Sequence, residues 1–377
     1  MSEESKLPNE ILKRYIKIAG SNEQTINSQE IEAVFGQKMR LSRIDFENVI
    51  GKLKSLDFND YSYSGKHYLN IQNQYIDRAS GKTRIGNIRT TINGIPAIQD
   101  YCKTNKINMG DVTGTSQALV RFLQKIPKKH NNQHLAPIFY NDFGFKINYK
   151  EEKVLKPEFS IVRDLLNTWD QQKKVFRLIK RSSFTSYKFP NIRVDCSIIK
   201  SSKRVGNRMI PEFRIESSNV FNNPESYEIE IELVNMNSLS FNDAVVDDLL
   251  KQLKTCIKYV LSGLQETNYP ISIIERNNIL EQYMGILYKE VPDRRVRPRD
   301  FVGPSSISLE RPNIAPLEDD INIPNIRLPY TVTDKADGTR KLLMISENGK
   351  LYLIDVNMDV QFTGDVNMNG SLNNTII

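Results

Sequence analysis

The sequence predicts an α+β protein in which a closed antiparallel β-barrel with a polar interior is surrounded by helices and followed by a β-rich C-terminal segment. Three observations support this fold class. At least six short runs before Asn235 alternate apolar and polar residues, as the strands of a barrel do. One run, SYEIEIELVN, carries three glutamates on one face, and two other runs carry arginines on one face. Carboxylates on some strands and guanidinium groups on others favour a barrel with a charge-lined interior.

Apolar spacing and turn residues place the elements in order. An apolar stripe predicts a helix over residues 9–19, and Ser42 is the expected N-cap of the next helix. Further helices are expected over residues 95–102, 159–169, 241–264 and 271–289. Barrel strands are expected over residues 29–36, 61–68, 83–92, 143–151, 175–187, 192–200 and 227–235.

A change of composition divides the chain into a long and a short domain. Residues 291–329 contain seven prolines and a run of arginines, which is typical of a linker. We therefore expect one domain over residues 1–290 and a second over residues 330–377. The second begins with three strand-like runs, over residues 331–334, 340–346 and 350–355.

The composition is that of a globular protein. Of 377 residues, 39% are hydrophobic and 26% are charged, which excludes a disordered chain, a collagen-like repeat and a coiled-coil rod. The net charge of +7 permits nucleic-acid or phosphate partners. The three cysteines and three histidines are scattered, which argues against a zinc site or a disulfide framework. With no secretory signal and no apolar run of roughly 20 residues, we expect a cytoplasmic protein without a membrane partner.

Two strands carry carboxylates in strict alternation. In the first strand these are Glu30 and Glu32, and in the last they are Glu228, Glu230 and Glu232. One alternative is a solvated edge, where water and salt screen the charges. In a closed interior, only a cation or basic side chains can neutralise them. Mg²⁺ and Mn²⁺ prefer such oxygen ligands.

Two strands between them carry the complementary charge. Arg177 and Arg181 share one face of the first, and Arg193 and Asp195 share one face of the second. Weak surface salt bridges would explain the same pattern. The functional interpretation is a lining that holds a metal and a polyphosphate together, because guanidinium groups donate paired hydrogen bonds to phosphate.

The order of these motifs resembles that of the tunnel-type, metal-dependent RNA triphosphatases of fungal and large-DNA-virus mRNA-capping enzymes. The resemblance covers about residues 1–235. It implies that Glu30, Glu32 and Glu232 ligate Mg²⁺ or Mn²⁺, and that Glu228 and Glu230 support the metal or orient water. It also implies phosphate-binding and orienting roles for the basic strands: Arg177, Arg181 and Arg193 would grip the phosphates, and Asp195 would orient a basic neighbour. Arg89 and the strand with Lys146, Lys150 and Glu151 are further candidate lining residues.

A second motif lies near the C-terminus. Lys335, Asp337, Gly338 and Arg340 fit the pattern K-x-D-G-x-R between two strand-like runs. An ordinary Asp-Gly hairpin turn is the alternative. The pattern resembles the first motif of covalent nucleotidyltransferases, which include guanylyltransferases and ATP-dependent ligases. That resemblance implies that Lys335 carries GMP from GTP as a phosphoamide, that Asp337 and Gly338 lie beside the nucleotide, and that Arg340 contacts its sugar.

Only 377 − 335 = 42 residues follow Lys335. The later motifs of nucleotidyltransferases are missing from them, so we expect an incomplete guanylyltransferase segment from a longer protein. A triphosphatase followed by a guanylyltransferase resembles the order in viral mRNA-capping enzymes. The expected partners are 5′-triphosphate RNA, GTP and further capping domains such as a methyltransferase, in the host cytoplasm, a viral factory or the virion. Three alternatives remain: an inorganic polyphosphatase or NTPase, a non-catalytic RNA-binding scaffold and, more weakly, a nucleic-acid ligase.

Overall fold

The structure is a computed structural model whose chain divides into two compact units, Met1–Glu266 and Thr267–Ile377. Each unit has a hydrophobic core of its own. The residues described are 6–21, 28–37, 39–60, 65–77, 79–108, 110, 119–127, 129–130, 133–206, 208–236, 239, 242–288, 293–303, 308–316, 323–329, 331–332, 334 and 337–377.

The secondary structure is mixed, with long strands in the first unit and short ones in the second. The helices are α1 (Lys6–Ser21), α2 (Arg43–Ser55), α3 (Ile95–Thr104), α4 (Ser160–Asn167), α5 (Asp243–Leu264) and α6 (Ile273–Leu287). The strands of the first unit are β1 (Ser28–Phe35), β2 (Asn59–Asp60), β3 (Lys66–Ile76), β4 (Thr83–Ile85), β5 (Ile88–Asn93), β6 (Val120–Pro127), β7 (Lys129–His130), β8 (Gln133–His134), β9 (Ile138–Tyr140), β10 (Phe145–Leu155), β11 (Lys174–Ser186), β12 (Phe189–Ser201), β13 (Arg204–Val205), β14 (Arg208–Met209) and β15 (Ser226–Leu233). Those of the second are β16 (Lys341–Ile345), β17 (Lys350–Asp355), β18 (Val360–Val366) and β19 (Thr375–Ile376).

Eight antiparallel strands of the described chain close into a barrel. Their order is β11-β12-β15-β1-β10-β6-β5-β3, and β3 pairs back onto β11. The closing ladder is long, since it runs from Lys174 opposite Asn73 to Arg181 opposite Lys66. Closure leaves these strands with two neighbours each and creates an interior that side chains of alternate residues enter. The predicted fold class of the first unit is therefore confirmed.

The outside of the barrel is apolar and covered on two sides. On one side, α1, α2 and α5 pack against the outward residues of β1, β10, β12 and β15, which include Ile31, Ile229 and Ile231. On another, α3 and the segment around Trp169 cover Leu69, Ile71 and neighbouring apolar side chains. Because the apolar residues of each strand point to these layers, the polar residues of the same strands point inward.

The second unit contains a four-stranded sheet in the order β18-β17-β16-β19. Helix α6 packs on it, and Tyr283 and Met284 share a core with Met344, Tyr352 and Ile354. The first compact unit thus ends at Glu266, before the expected boundary at residue 290, because the apolar face of α6 is buried against this sheet. Of the predicted strand over residues 331–334, residues 331, 332 and 334 are described and form no strand.

The predicted N-cap of the second helix is confirmed. Ser42 is the N-cap of α2. Its hydroxyl oxygen accepts a hydrogen bond from the backbone N–H of Asp45, and the Asp45 carboxylate accepts one from the backbone N–H of Ser42. Strand β6 was not predicted, and residues 61–64 of an expected strand lie outside the described residues. Among the helices that the structure describes, none combines the length and apolar character needed to span a membrane.

A close approach between α2 and α5 supplies a test of this packing. A Cβ on Gly263 of α5 would lie 2.7 Å from Val49 Cα of α2. We therefore expect Gly263→Ala to lower the free energy of unfolding by about 1–3 kcal/mol, because two helices must separate. Gly51→Ala is the matched control, since its Cβ meets open space and alanine favours a helix. Urea unfolding followed by circular dichroism would measure both, and equal stability of the two variants would contradict this packing.

Candidate active site

A row of glutamates crosses two neighbouring strands inside the barrel. Glu32 on β1 is the register partner of Glu232 on β15, and Glu230 lies opposite Val34. Glu30 precedes Glu32 on the same face of β1. The alternate residues of both strands belong to the outer hydrophobic core, so the carboxylates have only the interior to occupy.

Arginines of the next strands meet these glutamates. Arg181 Nη2 donates to Glu230 at 2.7 Å, and Arg181 Nη1 donates to Asp195 at 3.2 Å. Its Nε donates to Ser197 Oγ at 2.9 Å. Asp195, only 2% exposed, also accepts from Ser183 Oγ at 2.7 Å. These contacts hold the Arg181 guanidinium in one plane against the glutamate row.

Two further arginines extend this pairing along the barrel. Arg193 bridges Asp195 and Glu232, since its Nε lies 3.2 Å from Asp195 and its Nη2 donates to Glu232. Arg177 Nη2 donates to both carboxylate oxygens of Glu228, at 3.1 and 3.2 Å. The structure therefore brings together all the predicted glutamates of β15 with the predicted arginines of β11 and β12.

Lysines reach the β1 glutamates from the other side. Lys125 Nζ on β6 lies 2.9 Å from Glu30, and Lys150 Nζ on β10 lies 2.8 Å from Glu32. Asn148 donates to Glu32 at 3.1 Å. Arg89 on β5 donates to Glu152 at 2.8 Å. The charged lining thus continues around most of the barrel.

Burial and charge shift the acidity of these groups in different directions. Burial raises the pKa of Glu232 to about 8 despite the attraction of Arg193, and Glu30 and Glu32 add repulsion. Burial also raises the pKa of Glu30 and Glu230. For Glu32, burial acts in the same sense, but Lys125 and Lys150 outweigh it and hold the pKa below its usual value. Because the ionised carboxylates repel one another in this buried space, an additional cation would stabilise their charged forms.

One inward-facing lysine has a different environment. The structure gives Lys146 on β10 no ion pair with a described residue, and burial and the neighbouring Lys150 lower its pKa. Its register partner on β1 is Val34, in the middle of the glutamate row. Lys146 therefore adds positive charge that an anion in the barrel could neutralise.

Some lining residues were missed or misplaced by the sequence reasoning. Lys125 belongs to β6, where Arg121 and Lys125 lie four residues apart on the same face, a signal that could have revealed the lysine. Arg121 lies opposite Thr91 in the same inward row. The sequence suggested Glu151 as a lining residue, but Glu151 lies on the outer face of β10, opposite to the face of Lys150. Because side chains alternate along the strand, Glu152 is the glutamate that faces the interior, where it pairs with Arg89.

The structure describes only part of the C-terminal K-x-D-G-x-R motif. Lys335 lies outside the described residues. Asp337, Gly338 and Arg340 are exposed and lie on an irregular segment, with a bend at Gly338, that immediately precedes β16. The described contacts of the chain assign no partner to these three residues.

Half of the chain has a recognisable relative. Over 187 residues, 50% of this chain, it is 29% identical to a probable mRNA-capping enzyme of Acanthamoeba polyphaga mimivirus. This chain is similar to a viral mRNA-capping enzyme. The resemblance inferred from the motifs is thereby confirmed, although the alignment spans only 13% of the relative's length. No family model matches the chain.

Three solved structures from mimivirus also match. One is the RNA triphosphatase domain of a trifunctional mimivirus mRNA-capping enzyme, with 17% identity, coverage of 68% of this chain and 99% of that chain, and a TM-score of 0.40. Triclinic and monoclinic structures of the mimivirus capping enzyme triphosphatase have identities of 17% and 18% and TM-scores of 0.42 and 0.41, with the same coverage. TM-scores of this size carry no conclusion about activity, and the barrel assignment rests on the strand order of this chain.

The charge pairing inside the barrel predicts a stability cost for removing one arginine. Arg181→Met would leave Glu230 and Asp195 without their shared guanidinium, so we expect a loss of about 3–5 kcal/mol in the free energy of unfolding. Arg43→Met removes an exposed pair with Glu47 and should cost under about 0.5 kcal/mol. Urea denaturation would compare the two variants. A small, equal effect would mean that the barrel interior screens charge as bulk water does.

Proposed function

We propose that the first unit is a metal-dependent RNA 5′-triphosphatase of mRNA capping. It would remove the γ-phosphate of 5′-triphosphate RNA and leave 5′-diphosphate RNA. The observation that carries the proposal is the opposition of a glutamate row on β1 and β15 to an arginine row on β11 and β12 inside one closed barrel. Similarity to a viral capping enzyme supports RNA as the substrate.

The donor set suits Mg²⁺ or Mn²⁺. Glu32 and Glu232 face each other across the β1–β15 ladder, and Glu30 lies one pleat away, so three carboxylates from two strands supply only oxygen ligands. In the described residues, no three acidic, histidine or cysteine side chains already converge as a metal site requires. Each carboxylate instead contacts a basic side chain, so metal binding would require these pairs to open. A bound divalent cation would offset the charge of the γ-phosphate and polarise it.

Arg181 can bind phosphate without losing all of its supporting contacts. If Glu230 turned to a cation, Arg181 would keep Asp195 and Ser197 as partners, and its Nη2 would be released toward the phosphates. Asp195 is thus a positioning residue that holds guanidiniums in place. Arg177, Arg193 and Lys146 would add positive charge along the same path.

The attacking water needs an oriented acceptor. Glu228 and Glu230 occupy the inward face of β15 between Arg177 and Arg181, close to where the phosphates would lie. Burial raises the pKa of Glu230, so this carboxylate accepts a proton more readily than an exposed glutamate and is suited to orient a water molecule. We assign Glu228 and Glu230 to water orientation and support of the metal ligands.

Removing a metal-binding carboxylate tests this proposal. Glu30→Gln and Glu232→Gln should each lower the rate of phosphate release from γ-labelled triphosphate RNA at least about a hundredfold with Mg²⁺ or Mn²⁺, because a ligand is lost. Glu225→Gln, at the exposed approach to β15, is the control and should keep full activity.

Circular dichroism would verify that these variants fold. Full activity of Glu30→Gln or Glu232→Gln would contradict the assignment of the site. Release from inorganic polyphosphate at a higher efficiency than from RNA would favour the polyphosphatase alternative, and no release with any divalent metal would favour a non-catalytic scaffold.

We also propose that the K-x-D-G-x-R motif belongs to a guanylyltransferase in a longer protein, acting with further capping domains in the host cytoplasm. Its support is the motif and the similarity to a capping enzyme. Labelled GTP should give no covalent GMP adduct with the 377-residue chain, because the charged groups of the later motifs are missing around the α-phosphate. A longer chain should give an adduct that Lys335→Ala abolishes. An adduct on the 377-residue chain would contradict the incompleteness of this segment.

A further inference from the structure

An open groove of about 870 Å³ lies between α1 and α5, on the side of these helices away from the barrel interior. Four lysines line it: Lys13 from α1 and Lys251, Lys254 and Lys258 from α5. None of them belongs to the charged lining of the barrel. The groove is therefore a second concentration of positive charge in the first unit.

The helical repeat explains the arrangement. Lys251, Lys254 and Lys258 are spaced i, i+3 and i+7, so they share one face of α5 over a length of about 10 Å. The opposite face of α5 is buried against β12 and β15, which directs these lysines outward.

Part of the positive charge in this groove is not paired with a described acid. Burial and the neighbouring Lys13 lower the pKa of Lys254. Asp247 is already engaged by Lys13 at 2.5 Å, and Lys251 and Lys254 form no ion pair with a described acid. Lys251 and Lys254 thus keep positive charge close to Lys13, and a polyanion would relieve the repulsion among these lysines.

The groove leads to one particular end of the barrel. Tyr259 lines its far end, and the Tyr259 ring packs edge-on against Phe58 and Phe189, with centroids 6.5 and 5.9 Å away. Phe189 begins β12, four residues before Arg193, whose register partner is Glu232. The basic groove therefore reaches the start of β12, about 13 Å along that strand from Arg193, which lies opposite the proposed metal ligand Glu232.

We propose that this groove binds the sugar–phosphate backbone of the RNA whose 5′ end enters the barrel, an inference that rests on the proposed triphosphatase function. Lysines in a line suit successive phosphates, and a terminal tyrosine offers a face for base stacking. An acidic peptide would use the lysines but has no aromatic base for Tyr259. The position of the groove would allow one RNA strand to contact the lysines and Tyr259 while its 5′ end lies in the barrel.

Binding of RNA without a triphosphate tests the groove separately from the barrel. Fluorescence anisotropy would use a 5′-hydroxyl RNA of about 20 nucleotides, long enough to fill an extended site. The triple variant Lys251→Glu, Lys254→Glu, Lys258→Glu should bind at least about tenfold more weakly. Its slope of log affinity against log salt should also fall by about 2, as three phosphate contacts are lost.

The matched control reverses three exposed charges elsewhere, with Lys103→Glu, Lys106→Glu and Lys203→Glu. It should leave both affinity and salt slope near those of the natural chain. Equal weakening by the control would overturn the proposal, as would no binding of 5′-hydroxyl RNA by the natural chain. Competition by polyglutamate as strong as by RNA of equal charge would also overturn it, in favour of an acidic peptide.

Kinetics separate the groove from the active site. With triphosphate RNA, the α5 variant should show a raised KM and an unchanged kcat, and its hydrolysis of ATP should be unaffected. Loss of ATP hydrolysis in the α5 variant would show that the substitutions disturb the barrel and would overturn the proposal. If the natural chain hydrolyses neither substrate, the triphosphatase function fails, while anisotropy still decides whether the groove binds RNA.

Discussion

The pairing of carboxylates with guanidinium and ammonium groups inside the barrel is the interaction on which the rest of the first unit depends. Isolated charges in a protein interior cost several kcal/mol each, so a closed barrel with this lining can form only if the charges meet partners. The strand register supplies them. Asp195 lies opposite Glu230 and Arg193 opposite Glu232, and Arg181 reaches across to Asp195 and Glu230.

The polar interior determines where the hydrophobic core lies. A barrel filled with charges has no apolar centre, so the outward face of each strand must supply the burial that stabilises folding. Helices α1, α2 and α5 provide one covering layer, and α3 with the Trp169 segment provides another. Gly263 lets α5 approach α2 closely within this layer. The helix packing that stabilises the barrel from outside therefore depends on this glycine.

The same pairing prepares the interior for ligands. The basic groups exceed what the acids need, as the environment of Lys146 shows, and burial raises the pKa of Glu30, Glu230 and Glu232. A divalent cation would relieve the carboxylates, and a polyphosphate would relieve the basic groups. Binding both together exchanges internal pairs for external ones, which is the electrostatic basis of the proposed reaction.

Local patterns in the sequence determined most of the elements and the chemistry of the lining. Strict alternation is sufficient to place two glutamates on one face of β1 and three on one face of β15, because the pleat has a period of two. The cap at Ser42 and the apolar stripe of α5 are equally local. Strand pairing between β6 and β10 determined that Lys125 and Glu152, rather than Glu151, line the barrel. A short sequence motif does not reveal such pairing. Closure of β3 onto β11, the packing of α6 in the second unit and the lysine groove between α1 and α5 were decided only by the tertiary structure, because each joins residues that are distant in sequence and whose local patterns permit several partners.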